Sequence, residues 1–131
     1  MVEHHISLLS IAIAGLINLW LAWRCGAGRG KAKVLHGDGG DTALQRHMRA
    51  HSNFIEYTPI ALLLILVLDL NEQHGWLLAL TAAVFLLGRV LHAIGKQADK
   101  SSKPRMAGMM MTMLPYAIWI VWAALVAFSV V

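Results

Sequence analysis

Arg49, Asn53 and Glu56 stand at helical spacing where a basic stretch runs into a long apolar segment, within the string R-A-H-S-N-F-I-E-Y-T-P at 49–59. At about 100° per residue, Arg46, Arg49, Asn53 and Glu56 fall within an arc of roughly 80° on one helix face. A charge carried into hydrocarbon costs roughly 2.5–3.5 kcal/mol on insertion scales, so ionisable residues inside a membrane span call for polar partners or a ligand. Further along, Arg89, His92 and Lys96 recur at i, i+3 and i+7 and share a face about 60° wide. Arg105, Met109, Thr112 and Tyr116 align in the same way in the last apolar segment. Arg46, Arg49, Arg89, Lys96 and Arg105, with Arg29 arriving from the first loop, describe a site for an anion held by guanidinium forks. Asn53 and Glu56 give that site hydrogen-bonding partners and one counter-charge.

Blander readings stand beside this one. Arg24, Lys33, Lys96, Lys100 and Lys103 lie at helix ends, where long cationic side chains snorkel to the interface. Glu56 and Arg89 lie deeper and could form a plain ion pair joining two helices, with Asn53 as interhelical glue. His47 and His51, at i and i+4, supply two points of a metal site but no third: on a straight helix Glu56 points about 140° away from His51. No metal is expected. Five methionines between Met106 and Met113 favour no single helix face and read as adaptable packing. The single Cys25 excludes an intramolecular disulfide and reads as unreactive. The run H-G-D-G-G at 36–40 lacks both the G-K-[ST] ending and the upstream strand of a phosphate loop.

The elements that must position these residues are apolar. The chain has 131 residues, 58% of them hydrophobic, and a mean hydropathy of +0.62, which sets it outside the ordinary soluble class. Apolar stretches at 6–23, 54–70, 76–91 and 106–131 each approach the length of a bilayer core. The expectation is an all-α integral membrane protein: one domain over 1–131, a bundle with spans near 5–25, 43–70, 75–96 and 105–130. The first stretch has no basic start and is followed by further spans, so it reads as a mature helix rather than a signal peptide.

Basic residues crowd the first loop (Arg24, Arg29, Lys31, Lys33) and the third (Lys96, Lys100, Lys103, Arg105), while Glu3, Asp69 and Glu72 mark the other side, the latter two in the second connection. The positive-inside rule makes loops one and three cytoplasmic and both termini periplasmic. It also explains the net charge of +4 without nucleic acid, which is not an expected partner. Gly26, Gly28 and Gly30 are expected to end the first helix, and Asp41 or Thr42 to cap the second. That second helix, about 28 residues and roughly 42 Å long, must protrude from the bilayer. Pro59 and Pro115 release the carbonyls of Ile55 and Met111 and predict kinks.

The string Arg49-x-x-x-Asn53-x-x-Glu56-Tyr57-x-Pro59, then Gly88-Arg89-Val90-Leu91-His92, then Arg105 ahead of Pro115, resembles the membrane-associated proteins in eicosanoid and glutathione metabolism, the MAPEG family. The segment at 36–40 with Leu44 and Gln45 looks most like small bacterial members. The resemblance covers nearly the whole chain and implies four transmembrane helices, a homotrimer, a bacterial inner membrane, and glutathione as co-substrate bound between subunits near the cytoplasmic side. It implies that Arg29, Arg49, Asn53, Glu56, Arg89 and His92 line the glutathione site and that Arg105 stabilises the thiolate. The implied activity is a glutathione-dependent transferase or peroxidase acting on hydrophobic electrophiles or lipid hydroperoxides that enter from the membrane lipid. The alternative is a non-catalytic glutathione- or lipid-binding scaffold of the same fold, with a transporter or channel a more distant third. The chain departs from the family at Lys96, Met106 and Met109, where active members carry tyrosine or serine, and at Ser52, where they carry arginine. Methionine donates no hydrogen bond to a thiolate, so the thiol-activating side is less complete.

Overall fold

In the computed structural model, which describes residues 4–73, 75–95 and 102–131, the chain forms four helices: α1 (His5–Ala32), α2 (Thr42–Leu70), α3 (Trp76–Gly95) and α4 (Lys103–Ala127). Each is long and apolar enough to cross a membrane. The chain is an all-helical four-helix membrane bundle, as its composition led us to expect. The most extensive helix pairs are α3 with α4 and α1 with α2; α2 also meets α3 and α4, and α1 meets α3. Among the described residues α1 and α4 do not pack together, so α2 and α3 hold the short diagonal of the bundle.

Large apolar side chains cover both the interior and the outside. Leu21, Phe54, Ile65, Leu78, Phe85 and Trp119 are buried, while Leu16, Leu19, Leu63, Leu80, Leu87 and Leu114 are exposed. A bundle apolar all round is what a lipid-bathed protein requires. Polar groups inside are matched in places. Trp119 Nε1–H donates to Thr81 Oγ1 at 2.9 Å, and its ring packs on Phe85 with centroids 5.4 Å apart.

The helix ends follow local chemistry. Asp41 is the N-cap of α2, its carboxylate accepting from Leu44 N–H at 2.8 Å. The loop before it turns on Gly37, Gly39 and Gly40, all at positive φ. One expectation fails: Gly26, Gly28 and Gly30 do not end α1, which continues to Ala32 and stops where Lys33 adopts a left-handed conformation at φ 56°. Packing outweighs the low helix propensity of glycine here. A Cβ on Gly28 would meet Leu44 Cδ1 at 3.1 Å, so its absence lets α1 lie close against α2. Pro59 and Pro115 lie inside continuous helices.

A second difference lies at the opposite end of the bundle. Asp69 is not a loop charge; it belongs to α2, is fully buried, and accepts from the backbone N–H of Ser7 at 2.9 Å. The N–H groups of a helix's first turn have no partner within the helix, and a carboxylate from another helix satisfies one and complements the helix dipole. The register shows why it is interior: Asp69 continues the i, i+4 row of Ala61 and Ile65, both buried.

Candidate functional site: a buried guanidinium between three helices

Arg89 is 2% exposed, about a turn and a half from the C-terminal end of α3, roughly 9 Å along the axis. Three helices converge on it. Its Nε donates to Thr112 Oγ1 of α4 at 2.8 Å, its Nη1 donates to Asn53 Oδ1 of α2 at 2.6 Å, and its guanidinium carbon lies 5.6 Å from the centroid of the Tyr57 ring. The Tyr57 ring in turn meets Tyr116 of α4 edge-on, 6.5 Å between centroids. Nη2 is enclosed and has no hydrogen-bond partner. The group therefore sits in a polar clasp that holds its plane and leaves one corner unused.

Close approach of α3 and α4 makes the clasp possible. A Cβ on Gly88 would lie 2.7 Å from Met111 Cβ and 3.0 Å from Gly108 O. One on Gly108 would lie 2.6 Å from Gly88 O and collide with the His92 backbone. One on Gly95 would collide with the backbone of Arg105. Three glycines thus let the two backbones touch along the stretch that carries Arg89 and Thr112. Small residues permit such contact in membrane bundles, where no hydrophobic force drives helices together.

The other expected site residues are distributed around this centre. His92, one turn beyond Arg89, is buried against Gly108. Arg49 and Glu56 are exposed on α2, and Arg46 is half-buried. The stripe read as one face therefore splits: Asn53 turns inward to Arg89, while Arg49 and Glu56 flank it on the outside. Glu56 is not among the partners of Arg89; an amide, not a carboxylate, joins α2 to α3. Arg29 is half-buried in the last turn of α1, and Arg105 half-buried in the first turn of α4, where Ser102 caps the helix by accepting from Arg105 N–H at 3.3 Å. Neither is among the described hydrogen-bond partners of Arg89. Lys96 and Lys100, as well as Glu3, lie outside the described residues.

His51 Nε2 sits 2.8 Å from Asn18 Oδ1, which ties α1 to α2. Met106 is exposed and Met109 half-buried. The parts that sequence reading missed are the roles of Thr112, Gly88 and Gly108. Thr112 was visible only as a polar residue aligned with Arg105, Gly88 only as a member of the family string, and Gly108 carried no signal of its own. Their mutual spacing across two helices is a fact of packing.

Levels along the membrane normal follow from these contacts. From Asn53, level with Arg89, α2 runs eleven further residues to Thr42, roughly 16 Å, whereas α3 runs six to Gly95, roughly 9 Å. Arg49 thus lies one turn, roughly 6 Å, from that level towards the basic loops.

Chemically, the centre can receive an anion. A guanidinium has five N–H groups, and Thr112 and Asn53 take two of them.

Comparison with known proteins adds a lineage. The model of the MAPEG family matches residues 7–125. Inner membrane protein YecN of Escherichia coli, in strain K12 and in strain O6:H1, is 40% identical over 63 residues, which cover 48% of this chain and 48% of YecN. The aligned part thus spans about half the length of these relatives. No solved structure matches.

Proposed function

The chain belongs to the MAPEG family, and on that premise we propose that it is a glutathione-dependent transferase or peroxidase of a bacterial inner membrane, working on hydrophobic electrophiles or lipid hydroperoxides. The observation that carries this reading is Arg89: a cation 2% exposed inside a span, held by neutral groups only, with Nη2 unpartnered. Burial of such a charge is costly, and a ligand carboxylate is the group that relieves it.

Glutathione has two carboxylates, an ammonium and a thiol. Arg89, Arg49 and Arg29 receive the carboxylates, Glu56 the ammonium, and Asn53 and His92 orient the peptide. Arg49 and Glu56 are exposed in the single chain at a level where lipid would otherwise face them, which supports a homotrimer in which a neighbouring copy closes the site. Arg105 faces the sulfur. A guanidinium beside a thiol favours the thiolate, each unit of lowered pKa corresponding to about 1.4 kcal/mol. In conjugation, the thiolate attacks an electrophilic carbon, a C–S bond forms, the leaving group departs with its electron pair, and the thiol proton has already passed to water. In peroxide reduction, the thiolate attacks the outer oxygen, the O–O bond breaks, the alkoxide leaves and takes a proton from water to become the alcohol, and a second glutathione displaces water from the sulfenic acid to give the disulfide. The electrophile reaches the site from the lipid, and loops one and three face the cytoplasm.

Met106 and Met109 favour a second reading, binding without turnover, because neither donates a hydrogen bond to a thiolate. Purified protein in detergent should develop thiolate absorbance in the near ultraviolet when glutathione is added, and Arg105→Ala should abolish it while leaving binding. Turnover of aryl halides or hydroperoxides then separates the two readings. Absence of glutathione binding at millimolar concentration defeats both.

A further inference from the structure

Building on the reading that Arg89 receives a ligand carboxylate, we propose that Thr112 is a positioning residue that decides which edge of the guanidinium the ligand meets. A threonine hydroxyl has one hydrogen and two lone pairs. In Thr112 the hydrogen goes to Gly108 O at 2.7 Å, the carbonyl one turn back. The oxygen is thereby fixed as an acceptor, and Arg89 Nε–H fills it at 2.8 Å. Nε–H is one arm of the side-on fork that arginine commonly offers a carboxylate, so that fork is closed. Asn53 Oδ1 takes one hydrogen of Nη1. What remains is Nη2 with the second hydrogen of Nη1, and the ligand carboxylate meets Arg89 at Nη2 and not through a fork that includes Nε. Asn53 is fixed by the same bond: with Oδ1 committed to Arg89, its other polar atom, Nδ2, is a donor only.

Thr112 is fully buried, and its described bonds run to Arg89 and Gly108, so it acts through the guanidinium and not on the ligand. Its second anchor, Gly108, is the residue at which α4 presses on Gly88 and His92. Helix packing and guanidinium orientation are one device.

The test uses the full chain in lipid nanodiscs with ¹⁵N-labelled arginine, the Arg89 Nε–H resonance being assigned by its loss in Arg89→Lys. The wild type should show a slowly exchanging Nε–H. Thr112→Ser should keep it and bind glutathione within about twofold of the wild type, while Thr112→Val and Thr112→Ala should lose the slow exchange and bind about tenfold more weakly. Retention of slow exchange in both hydroxyl-free variants overturns the proposal, as does its loss with unchanged affinity. Two hydroxyl-free variants of different volume guard against one that does not fold. A wild type that shows the Thr112-dependent signal but binds no glutathione overturns the proposed co-substrate and supports the positioning.

Discussion

Arg89 engages two neutral acceptors on two different helices, so each acceptor matters more than an ordinary interhelical hydrogen bond. A bond to a charged group contributes about 1.5–3 kcal/mol, and a partner left unsatisfied in the interior loses more than the bond itself. Asn53→Leu should therefore lower the thermal midpoint in detergent by the equivalent of about 1.5–3 kcal/mol. Asn53→Asp should do the reverse on stability and still weaken glutathione binding, because an internal carboxylate then supplies the charge that the ligand would have brought. Equal loss of stability in both variants would overturn this account, since aspartate keeps both the shape and the acceptor oxygen of asparagine. Arg89 and Asn53 were legible in the sequence because polar groups in an apolar run are costly wherever they point. Their pairing was not, since helical spacing gives a shared face but not the rotation of that face. Asn53 and Glu56 looked like neighbours on one stripe, and the structure turns one in and leaves the other out.

Helix boundaries were legible where the signal was chemical and illegible where it was a matter of fit. Asp41 caps α2 as an N-cap residue should. Glycine carries two opposite messages, helix termination and close approach, and only the neighbouring helix decides between them. In α1 the run at Gly26, Gly28 and Gly30 does not stop the helix, and in α3 and α4 Gly88, Gly95 and Gly108 let two backbones meet. Gly108→Ala should thus part α3 from α4, costing about 1–3 kcal/mol and weakening glutathione binding through the lost Arg89–Thr112 bond. Gly15→Ala makes the control: an added Cβ there meets nothing within 4 Å, so the change should stabilise α1 by about 0.5–1 kcal/mol. Thermal unfolding of the two variants side by side checks the pair. A Gly108→Ala protein as stable as the wild type would mean that the helices slide apart without penalty.

Across the whole bundle, buried polar chemistry occupies both ends: Arg89 with Asn53 and Thr112 at one, Asp69 with the Ser7 backbone at the other. Between them the interior is mostly apolar, so the ends should behave independently. Asp69→Ala should destabilise the protein by about 1.5–3 kcal/mol, Asp69→Asn by less because an amide oxygen can still accept, and neither should change glutathione affinity. A shift in affinity would mean that α2 transmits strain along its length. The fold class could be read from four apolar stretches, but Asp69 was misassigned to a loop because a carboxylate near the end of a span looks like topology until the packing row is drawn. The split of the α2 stripe has a kinetic consequence. Arg49 lies one turn from Asn53 towards the basic loops and is exposed, whereas Arg89 is buried. An anion approaching from the side of the basic loops feels Arg49 before it feels the centre, within a Debye length of about 10 Å at 0.1 M salt. The outer cation therefore sets the speed of capture, which falls as salt rises, while the clasp around Arg89 sets how long the captive stays.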